Sequence, residues 1–143
     1  MVAPDVGLRE FSFNTVFSPD VSQQNVYDAS ARRLVIDFLN GYNATILTYG
    51  QTSSGKTHTM FGPGEGSLEA PRLSDIGIIP RACTEVMEAM RTRRVDNGIE
   101  SRLAVSYVEI FGEYVSDLLK YGARCGNSKV SALHYIFSYY RTH

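Results

Sequence analysis

Eight consecutive residues constrain this chain more than any others: Gly50-Gln51-Thr52-Ser53-Ser54-Gly55-Lys56-Thr57. They match the pattern GxxxxGK[ST] at every fixed position, and each position has a physical reason. The two glycines let the backbone curl until successive N–H groups point inward at an anion. Lys56 sets a point charge beside the outer oxygens of a phosphate chain, and the Thr57 hydroxyl offers a hard oxygen ligand to Mg²⁺. A helix expected to begin near Gly55 adds the positive end of its dipole. Such a match arises by chance in roughly one chain in two hundred of this length, so the flanking sequence must decide.

The flanks agree with the motif. Ala44-Thr45-Ile46-Leu47-Thr48-Tyr49 is a short apolar, β-branched run that predicts a buried strand. Lys56 to Met60 holds no helix breaker before Phe61-Gly62-Pro63. Strand, glycine loop and helix is the order a phosphate-binding loop requires. Further upstream, Phe11, Phe13, Thr15 and Phe17 alternate with Ser12, Asn14 and Val16, which predicts a strand. Asp20 and Gln23 are spaced for a capping box. Tyr27, Ala31, Leu34, Val35, Phe38 and Leu39 then recur at helical spacing, ended by Asn40-Gly41. That periodicity assigns Asp37 to a helix flank as a solvated charge, although an apolar run ending in Asp is also how a Mg²⁺-positioning acid looks.

Phe61 to Gly77 is rich in Gly, Pro, Ser and acidic residues and predicts an exposed loop. Ile79, Ala82, Val86, Met87 and Met90 return to helical spacing, with the methionines as core filler. Arg91-Thr92-Arg93-Arg94 closes that helix, and cations near a helix C-terminus explain it better than a polyanion site. Leu103 to Phe111 predicts a strand in which Glu109 makes a strand-end salt bridge more readily than a buried acid. Val115, Leu118 and Leu119 suggest a helical turn or a strand start. Tyr121 to Asn127 reads as a loop, and Val130 to Tyr140 fits helix or strand equally.

Composition narrows the class. The 143 residues suffice for one domain with a sizeable core. A net charge of -1 argues against a nucleic-acid or other generic polyanion binder. Cys83 and Cys125 form no CxxC spacing and no zinc set with the histidines, so a reducing compartment and a buried apolar role are expected. Met1 to Asp5 lacks a secretory signal's basic and apolar regions, and no apolar run has the length of a membrane span. A soluble, intracellular protein without nucleic-acid or membrane partners is the expectation.

Several words in order resemble the kinesin motor family. Phe11-Ser12-Phe13-Asn14-Thr15-Val16-Phe17 is similar to its early aromatic strand, with Asn14 where Asp is usual. Asn40-Gly41-Tyr42-Asn43-Ala44-Thr45-Ile46 leads into Tyr49 to Met60, whose GQTSSGKTHTM is far more specific than the bare phosphate-loop pattern. Gly77-Ile78-Ile79-Pro80-Arg81-Ala82 matches the start of the helix that follows, and Ser106 to Phe111 with Asp117-Leu118-Leu119 resembles the next strand and turn. The resemblance covers residues 11–119, leaving 1–10 as an N-terminal extension and 120–143 as a divergent tail.

The resemblance implies an α/β, P-loop NTPase-type three-layer sandwich with a mostly parallel central sheet, present as an incomplete fragment. It implies a microtubule motor ATPase at the cytoskeleton in the cytoplasm, using ATP and Mg²⁺. Gly50, Gln51, Thr52, Ser53, Ser54, Gly55, Lys56 and Thr57 would hold phosphates and, through Thr57, the metal; His58 would lie against the adenine. Gly62 to Ile76 would be the insertion loop beside the nucleotide. The 143 residues contain neither the family's Asn-x-x-Ser-Ser-Arg-Ser-His nor its Asp-Leu-Ala-Gly-Ser-Glu switch stretch, so no catalytic residue is identified. The base-contacting Arg/Pro segment is not found in Met1 to Glu10. Two alternatives follow: a nucleotide-binding module without turnover, and a non-catalytic fragment.

Overall fold

Tyr27, Ala31, Val35 and Leu39 recur at every fourth residue, and all four are buried. Side chains four apart lie on one face of a helix, so Tyr27 and the C-cap Ala31 mark the buried side of α1 (Gln23–Ser30), and Val35 and Leu39 that of α2 (Arg32–Leu39). The computed structural model describes residues 2–3, 7–8, 10–63, 74–111, 113–120, 123–127 and 133–141. It divides the single helix expected here at Ala31, whose φ of −116° interrupts the spiral while its N–H still reaches the Tyr27 carbonyl at 2.9 Å.

The helix start also differs from the expected capping box. Ser22 is the N-cap, its Oγ accepting from the Asn25 N–H at 3.1 Å. Asp20 is engaged locally instead, its carboxyl held below the usual carboxylate range by the Ser18 hydroxyl and by its own backbone N–H. The end follows expectation. Gly41, at φ 91°, gives its N–H to the Phe38 carbonyl, and Asp37 accepts from Asn40 and Tyr42 through its backbone oxygen.

The chain forms two compact units. Met1–Arg33 and Leu47–Arg81 form the first, which holds the hairpin β1 (Val2–Ala3) and β2 (Gly7–Leu8), α1, and α3 (Lys56–Phe61). It also holds the first turn of α4 (Ile78–Asn97), and Tyr27, Ala31 and Ile78 are its buried apolar residues.

Leu34–Ile46 and Ala82–His143 form the second unit, in which Val35, Leu39 and Val86 are buried. Its sheet comprises β3 (Ser101–Phe111), β4 (Tyr114–Asp117), β5 (Ala123–Asn127) and β6 (Leu133–Arg141) in the order β5-β4-β3-β6. Every pairing is antiparallel: Ser101 to Glu109 of β3 face Arg141 to Leu133 of β6, and β3 and β4 form a hairpin. The resemblance implied a mostly parallel sheet, and no parallel ladder occurs among the described residues. β5 lies where a loop was expected, and β6 resolves the ambiguous Val130 to Tyr140 toward strand from Leu133 onward, 130–132 lying outside the described residues. In both cases a neighbouring strand supplies hydrogen bonds that composition does not reveal.

Two expected strands are not formed among the described residues. Phe11 to Phe17 and Ala44 to Tyr49 have no ladder partner there, and Phe13, Leu47 and Tyr49 are 65%, 78% and 84% exposed. Alternation marks which residues a strand would bury, but a strand exists only where another pairs with it. The loop expected over Phe61 to Gly77 loses Phe61 to α3; Gly62, Pro63 and Ser74 to Gly77 are irregular, and 64–73 lie outside the described residues. α4 continues past Arg91–Arg94 to Asn97, with Arg91 bonding Glu88 at 2.6 Å and Arg93 donating to the Leu39 carbonyl at 2.9 Å. Glu109 is exposed on β3, opposite Ser116 and Leu133, so it is not a buried acid.

Ser22→Ala should lower stability by about 1 kcal/mol in urea titration while Ser22→Asp stays near wild type, because only the former leaves the Asn25 N–H uncapped. Burial pushes the Cys83 thiol above its ordinary range. At neutral pH less of it is thiolate than in an unfolded peptide, so its alkylation by iodoacetamide, followed by site-mapped mass spectrometry, should be slower in the folded chain. The rate should climb as pH rises through the shifted range.

Candidate phosphate-binding site

Gly50 to His58 lie wholly within the first unit. The loop turns at its start, where the Ser54 N–H bonds the Gln51 carbonyl at 3.2 Å. It then passes through two left-handed residues, Ser53 at φ 64° and Gly55 at φ 91°. Alternating hand along a short segment directs neighbouring N–H groups to one side, the geometry of an anion nest. Gly55 is the N-cap of α3, where its carbonyl accepts from the Thr59 N–H at 2.8 Å. A helix of six residues contributes little dipole, so the loop itself must supply most of the anion-binding character.

Lys56 opens α3, and its ammonium turns back across the loop. Nζ donates to the carbonyls of Gly50 at 2.8 Å and Gln51 at 2.7 Å. Two of its three donors are thereby used, which fixes the charge over the start of the loop and leaves one N–H for an oxyanion. Thr57 is exposed, so its hydroxyl is open to a hard cation. These are the positions the sequence motif assigns, and the fold brings them together. Asp37 belongs to the second unit, and no group of three or more metal-ligating side chains occurs among the described residues.

His58 is the last residue of the expected site, and it has a partner the sequence did not reveal. Gln23, the first residue of α1, places Nε2 at 2.7 Å from the His58 carbonyl and 3.1 Å from its Nδ1. The next residue, Gln24, accepts from Arg81 through Oε1 and donates to Asp28 at 3.0 Å. Arg81 in turn donates to the carbonyls of Ile76 at 3.0 Å and Ser74 at 2.9 Å. Gly77 closes the network, giving its N–H to the Phe61 carbonyl at 2.9 Å. The only local signal for these contacts is a pair of amides at a helix start, which could equally serve capping or solvation.

A kinesin motor domain family model matches residues 5–135, past both ends of the stretch in which the resemblance was read. The chain belongs to the kinesin motor domain family. It is 44% identical over 114 residues to the Homo sapiens kinesin heavy chain isoform 5A, an alignment covering 80% of this chain and 10% of that one. Among solved structures it is similar to the Drosophila kinesin family member NOD. The complex of NOD with AMPPNP superposes at a TM-score of 0.70 and 32% identity, over 82% of this chain and 39% of NOD. NOD with divalent manganese and ADP gives 0.68 at 30% identity, over 87% and 45%. A third NOD structure, docked with bovine tubulin into a map of nucleotide-free NOD on the microtubule, gives 0.68 at 29% identity. The fold is therefore the P-loop NTPase fold of kinesin motors, present as an incomplete portion. The chain spans about a tenth of its curated kinesin relative and under half of the NOD chains.

Gly55 in the candidate loop and Gly77 behind α3 differ in what they protect. A Cβ on Gly55 would meet nothing within 4 Å, so Gly55→Ala should cost only the left-handed strain of about 1–2 kcal/mol. A Cβ on Gly77 would lie 2.5 Å from the Met60 carbonyl carbon and 2.6 Å from the Phe61 nitrogen. Gly77→Ala must therefore displace backbone, with an expected cost of about 1–3 kcal/mol together with loss of protection of the Gly77 amide in hydrogen exchange. Gly55→Ala should leave that amide protected.

Proposed function

We propose that this chain is the nucleotide-binding portion of a kinesin-like motor and that Gly50 to His58 bind Mg·ATP. The observation that carries the reading is Lys56 held over the loop start, with Ser53 and Gly55 left-handed between the two. In this reading the loop N–H groups and Lys56 take the phosphates, Thr57 ligates Mg²⁺, and His58 lies beside the adenine. The metal neutralises phosphate charge when bound. The donor set fits, since Thr57 offers oxygen and the ammonium offers a hydrogen bond without competing for the cation. The longer protein of this kind is a microtubule-based motor of the cytoskeleton, working in the cytoplasm, with tubulin as its partner. NOD, which holds ADP with manganese, AMPPNP and the microtubule in its structures, supports that assignment. Residues 11–119 are its partial motor domain, flanked by the extension 1–10 and the tail 120–143.

A second reading concerns these 143 residues by themselves: binding of nucleotide without turnover. It is favoured because neither switch stretch occurs in the sequence. Phosphoryl transfer depends on orienting the attacking water and neutralising developing charge, and a loop with one lysine and one threonine does neither for the water.

Calorimetric titration with Mg·ATP should show saturable binding at one site. Lys56→Ala should weaken it by at least tenfold, because a charge-assisted contact to phosphate contributes about 1.5–3 kcal/mol. Thr57→Ala should reduce the difference between titrations with and without Mg²⁺. Wild-type binding that Lys56→Ala leaves intact would rule out the phosphate-loop reading. Steady phosphate release by the 143 residues would rule out the second reading.

A further inference from the structure

Gln23 lies outside the phosphate-loop motif and forms no capping box with Asp20, yet it is bonded to the one site residue whose chemistry depends on a proton position. Its side chain approaches His58 twice, at the backbone carbonyl (2.7 Å) and at Nδ1 (3.1 Å), in both cases through Nε2. The carbonyl settles which end of the amide is present. A carbonyl oxygen only accepts, so the atom 2.7 Å from it must carry hydrogen. That same –NH₂ group then directs its second hydrogen at Nδ1, and Nδ1 must accept. A neutral imidazole that accepts at Nδ1 carries its own hydrogen on Nε2.

The first turn of α1 is fixed from three sides, which makes Gln23 a prepositioned donor. Ser22 caps the turn through the Asn25 N–H. Gln24 holds Asp28 with its amide nitrogen and Arg81 with its oxygen, and Arg81 is itself bound to the carbonyls of Ser74 and Ile76. The His58 carbonyl is held too, since it also accepts from the Gly62 N–H at 2.8 Å. Donor and acceptor are thus both anchored.

We propose that Gln23 is a positioning residue that locks His58 as its Nε2–H tautomer, with Nδ1 turned to α1 and the Nε2–H edge left for a ligand. The tautomer follows from the hydrogen-bond geometry alone. Its consequence for ligands rests on the Mg·ATP reading above: a fixed imidazole strengthens binding of the nucleoside part of ATP and leaves the phosphate part untouched.

The test has two arms. The first is ¹⁵N NMR of the full chain with labelled histidine, His58 being assigned from the spectrum of His58→Asn. Wild-type His58 should show an unprotonated, pyridine-type Nδ1 and a protonated, pyrrole-type Nε2. Gln23→Glu substitutes an acceptor for the donor and should move the proton to Nδ1, while Gln23→Ala should give a mixture. An acid at the first helical position is well tolerated, and circular dichroism checks that the variants fold. Wild-type His58 protonated on Nδ1, or a tautomer that no Gln23 variant alters, would overturn the proposal.

The second arm compares Mg·ATP with Mg·tripolyphosphate, which has no nucleoside. Gln23→Ala should weaken Mg·ATP about 3- to 10-fold, the range of one hydrogen bond, and leave Mg·tripolyphosphate unchanged. His58→Ala should do the same, and the double variant should be no weaker than His58→Ala. Equal losses on both ligands, or fully additive losses, would show that Gln23 does not act through His58. If wild type binds neither ligand the Mg·ATP reading falls, while the tautomer remains decided by the first arm.

Discussion

Two neighbouring amides at the start of α1 tie together segments far apart in sequence. Gln23 reaches His58 across 35 positions, and Gln24 reaches Arg81 across 57. Through them one helical turn meets both the helix behind the glycine loop and the first turn of α4. Among the described residues, the apolar ones buried in that unit are few and include only one large aromatic, Tyr27. With so little apolar area removed from water, the relative placement of these segments depends on directional polar contacts, whose geometry is specific even where their net energy is modest. The glycine loop therefore sits on a polar frame.

What could be read from the sequence follows the range over which each interaction acts. The chemistry proposed for Gly50 to Thr57 can be read from eight adjacent residues, and α3 begins at Lys56 as the motif requires. The apolar row of α1 and α2 was legible because period four is a local property; Leu34 and Phe38, expected in the same stripe, are half-buried. The break at Ala31 was not legible, since no glycine or proline marks it. Ser22 displaced Asp20 as N-cap by two residues, a competition between equally suitable side chains that composition cannot decide.

Strand formation was the weak point for a different reason. Phe11 to Phe17 alternates well and forms no ladder among the described residues, while Ala123 to Asn127, which contains a glycine and reads as a loop, pairs with β4. A strand is a property of two segments at once, so a single-segment pattern over-assigns the first and misses the second. The contact of Gln23 with His58 was hidden for the same reason, because nothing near position 23 announces a partner at position 58. The role proposed for His58 rests on the resemblance to kinesins, since on spacing alone it is a helix surface residue.

Ala44 to Tyr49 has a consequence for how molecules of this chain behave toward one another. The segment is uncharged, free of proline, rich in apolar and β-branched residues, and open along its backbone among the described residues. Its amide and carbonyl groups can be satisfied by water, or by the same segment of a second molecule laid alongside. The second solution also covers Leu47 and Tyr49. Were two molecules to pair in this way at high concentration, the residues engaged would be those that lead into the glycine loop.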